Sequence, residues 1–395
     1  MFVNNYLVKN ERFPMIEIPP DNGCGMIVVI PCISEPNILD TLKSLNECEL
    51  PEKKVEVIVL INHSEIAPDE ITDNNLKTKR EIESWISLNK NRGISFFAVG
   101  PVVLKKKWAG AGLARKTGMD EAVLRFNSIH KTDGIIVSLD ADTLVEKNYL
   151  VEIENHFKLN PKNVGATIAF QHQISGLGDK QLKGILLYEK FLTYYKNALT
   201  FTGFPHSIYT IGSAFAVTAM AYVKCGGMSR RQAGEDFYFL QNLIQLGTVG
   251  EINTTRVFPS ARLSNRVPFG TGAAIQKWMA GTEDLSKTYN FKAFADLKIF
   301  FDEHEKLFGI DETTYLSTIS VLPESIMQFL LIDNFWDDLD DLNSNCSSLQ
   351  SFHVRFFHKF NAFKVLKYMN FAHEHFYEKA NLEEQFLFLK NLTKK

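Results

Sequence analysis

Four apolar runs punctuate the first third of the chain: MIVVIP (26–31), VEVIVLIN (55–62), ISFFAVG (94–100) and GIIVSL (134–139). Each is short, rich in β-branched residues and closed by a proline, a polar turn or a glycine, which predicts a buried strand. Between them lie segments with helical spacing: Ile38, Leu42 and Leu45, then Ile82, Trp85 and Ile86, then the glycine-opened GAGLARKTGMDEAVLRF. Strands alternating with helices predict an α/β fold with a mostly parallel central sheet. Ligands of such sheets bind beyond the carboxyl ends of the strands. Pro31, Asn62 and Asp140 each stand at or just beyond such an end, so they are expected to belong to one site.

The fourth run delivers LDADTL, with Asp140 and Asp142 one residue apart. Two carboxylates at that spacing can reach one hard divalent cation, directly or through water, and Mg2+ and Mn2+ favour such oxygen ligands. An EF-hand is excluded, because Leu144 replaces a ligand and no glycine follows at the sixth position. On its own the triplet also fits an aspartyl nucleophile or a solvated turn.

Three further stretches carry candidate chemistry. GAGLARKTG (110–118) places Gly110 at a helix start, where backbone can approach an anion, and Lys107 and Arg115 are candidates to neutralise a diphosphate. An ordinary loop-to-helix junction would read the same way. In AGEDFYFL (233–240), Glu235 and Asp236 open an amphipathic helix. They either complement the helix dipole or supply a general base for a substrate hydroxyl. In SARLSNRVPFGTG (260–272), Arg262 and Arg266 are candidates for the diphosphate or an anionic acceptor, or else belong to a surface loop.

Composition narrows the class. The 395 residues are 45% hydrophobic and 23% charged, as in a soluble globular protein of one or two domains. A net charge of −3 offers no global field to draw in nucleic acid. Five cysteines without CxxC spacing argue against a zinc site and a disulfide framework, and suit a reducing compartment. The first residues lack the apolar core of a signal peptide. The uncharged run between Lys196 and Lys224 is broken by Gly203, Pro205, His206 and Gly212, and reads as a buried strand entering a helix. A cytoplasmic location follows as the expectation. Further along, helices are predicted near 147–158 and 181–199, strands at VGATIAF and SAFAVTA, and a helix at GEDFYFLQNLIQLG. From about residue 283 the pattern is mainly helical and rich in Phe, with an acidic patch, DNFWDDLDDLNSN.

The order of these motifs resembles the family-2 nucleotide-sugar glycosyltransferases of the GT-A fold, over roughly residues 26–250. VVIPCISEP is similar to the family's opening stretch, with Pro31 and Glu35 matching and Ile33 and Ser34 departing. In VEVIVLINHS only Ser64 matches the usual Asp-Asp-Gly-Ser, and Asn62 takes the place of the acid that meets the uracil ring. Gly110, Ala114, Arg115 and Gly118 match the next motif, where Lys116 departs. Asp140 and Asp142 match the metal-binding motif, and IGSAFAVTAMAYVKCGGM resembles the acceptor-side strand, helix and Gly-Gly turn. Glu235 and Asp236 match the Glu-Asp pair whose second acid is the usual base.

The resemblance implies an N-terminal extension (1–25), a GT-A catalytic domain (26–282, with a nucleotide-sugar half to 145 and an acceptor half from 146) and a helical C-terminal region (283–395). It implies a donor site of Pro31, Glu35, Asn62, Lys107, Gly110, Arg115, Asp140 and Ala141, and Mn2+ or Mg2+ on Asp142 and Asp140. Asp236, with Glu235, would be the catalytic acid pair of an inverting transfer to an acceptor hydroxyl, saccharide or lipid-like. The processive signature Gln-x-x-Arg-Trp is absent: Ala274, Lys277 and Trp278 fall there.

Two other classes stay open on the residues. One is a haloacid-dehalogenase-like phosphatase with Asp140 as nucleophile and Asp142 as acid/base, although Leu144 replaces the usual Thr or Val. The other is a catalytically silent nucleotide-sugar-binding protein on the same fold. The stretch FHVRFFHKFNAFKVLKYMNFAHEHFY is read as helices packed on the catalytic domain, with peripheral docking at the inner membrane face as the alternative.

Overall fold

The computed structural model describes residues 4–10, 13–232, 234–263 and 270–392. The chain forms two compact units, Met1–Gly176 with Thr210–Ala273, and Leu177–Tyr209 with Ala274–Lys395.

The first unit carries eight strands: β1 Cys24–Cys32, β2 Lys54–Ser64, β3 Ile94–Leu104, β4 Ile135–Ser138, β5 Leu144–Val145, β6 Gly165–Phe170, β7 Phe215–Thr218 and β8 Val249–Phe258. They form one sheet in the order β3-β2-β1-β4-β7-β6-β8-β5. Pairing is parallel from β3 through β4 and again between β6 and β8. β7 runs antiparallel to β4 and β6, and β5 to β8. The mostly parallel α/β sheet is therefore present. Parallel neighbours cannot be joined by a hairpin, and the helices Ile38–Asn46, Asp69–Leu88 and Ala111–Ser128 make the crossovers among β1 to β4. Val28, Ile30, Val57, Val59, Ile136 and Val137 are fully buried, each worth about 1.5–3 kcal/mol of apolar burial.

Three strand ends lie further along than the sequence pattern predicts, that of β3 reaching Leu104 instead of Gly100. β1 continues through Pro31 to Cys32, and β2 continues through Asn62 to Ser64. Pairing of β1 with β4 has already ended at Val29–Ser138, so the missing N–H of Pro31 breaks no bond on that side. β8 escapes sequence reading altogether. Its register against β6 slips between Ile168 and Ala169, so its buried residues Ile252, Thr255 and Val257 do not alternate evenly.

The helix Ala111–Ser128 buries five charged residues: Arg115, Lys116, Asp120, Glu121 and Arg125. Burying an unpaired charge costs several kcal/mol, so each needs a partner. Residues near the N-terminus supply several. The Tyr6 hydroxyl donates to Asp120 at 2.7 Å, and Lys116 donates to Tyr6 at 2.8 Å and lies 3.3 Å from Asp120. Tyr222 adds a second hydroxyl on Asp120 at 2.9 Å. The amides of Met15 and Ile16 donate to Glu121, and Arg125 reaches both Glu56 oxygens and the Ile18 carbonyl. The Lys116 departure from the family pattern is thus built into a buried network.

The second unit is helical. Its helices include Asp179–Phe201, Phe291–Glu303, Glu324–Ile332, Phe335–Asn345, Leu349–Lys359 and Ala362–His375. The first of these groups here, whereas the sequence reading placed it inside the 26–282 segment. The core is aromatic: Phe294, Phe300, Phe335, Phe352, Phe356, Phe360 and Tyr368 are all buried. Phe300 meets Phe360, Phe356 and Phe335 at centroid distances of 5.2, 5.7 and 6.0 Å, in tilted and edge-to-face arrangements. The acidic patch is paired rather than free, with Lys364 bonded to Asp333 and Asp338 at 2.6 Å each. Among the described residues no helix is long and apolar enough to cross a membrane.

Candidate functional site

Three backbone carbonyls fix the tripeptide Asp140-Ala141-Asp142 just beyond β4. The Thr143 amide donates to the Asp140 carbonyl at 3.2 Å, Thr41 to that of Ala141 at 3.0 Å, and Gln173 to that of Asp142 at 2.9 Å. Gln173 also holds Phe258 of β8 at 2.7 Å. The two carboxylates therefore stand on a braced turn and need no ordering when a ligand arrives.

Beneath them lies Arg115, 3% exposed. One terminal nitrogen donates to Asp140 at 2.5 Å and the other to Glu235. Its Nε is buried with no partner among the described residues. Burial opposes its charge, but Asp140, Glu235 and Asp236 outweigh that and raise its pKa above the ordinary range. Arg115 was expected to meet a diphosphate. Instead its terminal nitrogens already serve carboxylates, and it joins two acidic motifs 95 positions apart. Close packing makes this bridge fit. A Cβ at Gly212 would come 2.9 Å from the Arg115 guanidinium, and one at Gly112 would overlap the Arg231 carbonyl.

Asp236 sits in the first turn of the helix Glu235–Ile244, and its Oδ1 accepts the Phe237 amide at 2.8 Å. Burial, with Asp140 adding to it, lifts the Asp236 pKa above the ordinary carboxylate range, while Arg115 opposes the rise. Glu235 is raised too, by burial first and by Asp236. A carboxyl lifted in this way binds a proton more readily than a solvated one, as a general base requires.

On the other side of Asp140, Arg262 forks onto both oxygens of Glu35 and reaches Asp142 at 3.0 Å. Glu35 is buried and Asp142 is partly so. Burial and the neighbouring Asp140 push the Asp142 pKa up to about 6, against the lowering effect of Arg262. Five carboxylates, Glu35, Asp140, Asp142, Glu235 and Asp236, thus gather around two guanidiniums. That excess of negative charge and the all-oxygen donor set fit a hard cation. Among the described residues no third His, Cys or carboxylate closes on Asp140 and Asp142 as a compact cage.

Other expected residues lie further from this cluster or serve the backbone. Asn62 is buried within β2, and its amide donates to the carbonyls of Cys32 at 3.0 Å and Leu60 at 3.3 Å, while Asn75 donates to the Asn62 carbonyl at 2.8 Å. Pro31 is half-buried in β1, and Ala141 is the buried centre of the braced tripeptide. Lys107 is exposed on the turn before Gly110, with its Nζ 5.3 Å from the Trp108 ring, which Arg230 also approaches at 5.4 Å. Gly110 caps the Ala111–Ser128 helix, where a Cβ would meet the Gln232 carbonyl at 2.9 Å. Arg266 lies outside the described residues. Thr41, Gln173 and Gly212 carried no signal in the sequence, since each acts singly through a carbonyl or through the space it leaves.

No protein-family model matches the chain, and no curated protein matches it by sequence. Solved structures with remote likeness include residues 1–349 of Staphylococcus aureus TarS in complex with UDP-GlcNAc, at 12% identity and a TM-score of 0.40, covering 84% of this chain and 89% of that one. Another is the mannosyltransferase PcManGT from Pyrobaculum calidifontis in complex with GDP-Man and Mn2+, at 11% identity and a TM-score of 0.39, covering 94% and 93%. Likenesses this distant assign neither activity nor ligand to this chain.

Proposed function

We propose that the chain is an inverting, non-processive, metal-dependent glycosyltransferase of the family-2 type, moving a sugar from a nucleoside-diphosphate sugar to an acceptor hydroxyl. The observation that carries the reading is the Arg115 bridge: one buried guanidinium joins Asp140 of the Asp-x-Asp turn to Glu235 of the Glu-Asp pair. In this reading a donor seat and a base are held together beyond the end of the interior strand β4.

In this reading Asp142 and Asp140 hold Mn2+ or Mg2+, which when bound screens the charge on the leaving diphosphate. Arg262, paired to Asp142 and Glu35, stands beside that seat. Asp236 accepts the proton of the acceptor hydroxyl as its oxygen forms a bond to the anomeric carbon. The bond from that carbon to the diphosphate oxygen breaks on the opposite face, so the anomeric centre inverts. Glu235 stays paired to Arg115 and positions the helix that presents Asp236. No covalent enzyme intermediate is required, and the five cysteines are not needed as nucleophiles.

The donor side includes Pro31, Ala141 and Asn62, with Asn62 beside the nucleotide base. Lys107 and Gly110 are assigned to the donor, and Arg266 to the diphosphate or the acceptor. The acceptor is a saccharide or a lipid-like alcohol, met in the cytoplasm or at the inner membrane face through the C-terminal helices.

The test is a thermal-shift and calorimetric screen of UDP-, GDP- and dTDP-sugars with and without Mn2+. Metal-dependent binding of one donor class is expected. Absence of binding across all three sinks the proposal. Release of phosphate from p-nitrophenyl phosphate, lost in Asp140→Asn, would replace it with the phosphatase reading.

A further inference from the structure

A second convergence of ligating atoms lies within the helical unit. Among the described residues, His304, Glu305 and His353 bring nitrogen and carboxylate atoms within 4.8 Å of one another. His304 opens the short turn His304–Leu307 after the helix Phe291–Glu303, and His353 lies on Leu349–Lys359, 49 residues later.

The tautomer of His304 follows from its neighbours. Its Nδ1 is 2.5 Å from the Phe301 carbonyl, which can only accept, so Nδ1 carries the proton. Nε2 is left with a lone pair. Phe356 and Phe357, at centroid distances of 4.9 and 5.2 Å, hold the ring in place. Nε2 faces His353 Nδ1 at 2.8 Å, and that nitrogen is 3.9 Å from the Glu305 carboxylate. An imidazole oriented by a backbone carbonyl, a second imidazole and a carboxylate form a recurrent donor set for borderline-soft divalent ions.

We propose that His304, His353 and Glu305 form a binding site for a divalent transition metal of the zinc type, with the remaining position open to solvent. The side chains of His353 and Glu305 are 46% and 56% exposed, so an ion can enter directly. The 2.8 Å separation is that of a hydrogen bond, whereas two nitrogens on tetrahedral zinc stand about 3.3 Å apart. Binding therefore asks the exposed His353 ring to retreat by about half an ångström and to move its proton from Nδ1 to Nε2. The site differs in kind from the Asp140–Asp142 turn, since imidazole nitrogen selects zinc, nickel or cobalt and carboxylate oxygen selects magnesium or manganese.

The experiment is calorimetric titration of the full chain with Zn2+ in millimolar Mg2+, which competes for carboxylates but not for imidazoles. A parallel Co2+ titration follows the visible absorption bands. One equivalent is expected, with affinity about tenfold or more weaker in His353→Ala and weakened less in Glu305→Gln. Circular dichroism of His353→Ala, a surface change, shows that the helices persist. Absence of Zn2+ binding, or equal affinity in wild type and His353→Ala, overturns the site.

Discussion

The two units bury different things. Among the described residues, all nine buried Asp, Glu, Lys and Arg side chains belong to the sheet unit: Glu35, Glu56, Arg115, Lys116, Asp120, Glu121, Arg125, Glu154 and Glu235. The helical unit buries none of these types and fills its core with rings. Ring packing is forgiving of position and stabilises through area, at about 25 cal/mol per Å2. Buried charge is unforgiving, because each group must keep its partner or impose its full desolvation cost. A fold tolerates such groups for structure when they balance and for chemistry when they do not. Lys116 and Asp120 balance, with two tyrosine hydroxyls to complete them. The cluster around Asp140 keeps an excess of carboxylates.

Four substitutions or conditions probe that contrast. The largest effect is expected from Asp236→Asn, which removes the proposed base while keeping its shape. Transfer should fall by about 10²–10⁴-fold with donor affinity unchanged. An equal loss of donor binding in calorimetry would move Asp236 from the acceptor side to the donor side. Next comes Asp120→Ala, which leaves Lys116 buried without a counter-charge and should cost about 3–5 kcal/mol in urea unfolding. The paired change Lys116→Met with Asp120→Leu should recover most of that loss. If it does not, the tyrosine hydroxyls, not the ion pair, dominate the network.

Phe300→Ala should cost a similar 3–5 kcal/mol through a ring-sized cavity. Hydrogen exchange should place the loss in the helical unit, with donor binding retained. Exchange that rises equally in β1 to β4 would show that the two units do not unfold separately. The smallest effect concerns acid. Burial, and then His358, push the His206 pKa down to about 4 from its ordinary 6.5. The unfolded chain takes up this proton below pH 6.5 and the folded chain only near 4. Stability from this group is therefore full above 6.5 and is lost as pH falls toward 4, by about 1–3 kcal/mol. His206→Gln should flatten that part of a Tm-against-pH curve, and an unchanged slope would show that His206 is not the group responsible.

Much of the sheet unit was legible because its strands are buried on both faces and read as continuous apolar runs. Asp140, Asp142, Glu235 and Asp236 were legible as acids at predicted element boundaries. What escaped has physical reasons. β8 lost its alternation to a slip in register. Thr41 and Gln173 act through backbone carbonyls, which leave no pattern in side-chain type. Arg115 was identifiable as a member of the group, but its burial was not, since a guanidinium above a turn and one beneath it look the same in sequence. Tyr6, Met15 and Ile16, which meet Lys116, Asp120 and Glu121, lie more than a hundred positions upstream, beyond any local window.

That last feature bears on how the chain is made. Tyr6 and its partner Asp120 are 114 positions apart, and Met15 and Glu121 are 106 apart. During synthesis the segment near Tyr6 emerges long before the helix whose charges it covers. It must wait, unpaired, while β1 to β3 are translated, and it can settle only after residue 121 has cleared the ribosome. That segment is thus translated well before the helix it closes over, and a partner that occupies it in the interval would leave the buried charges of that helix without their cover.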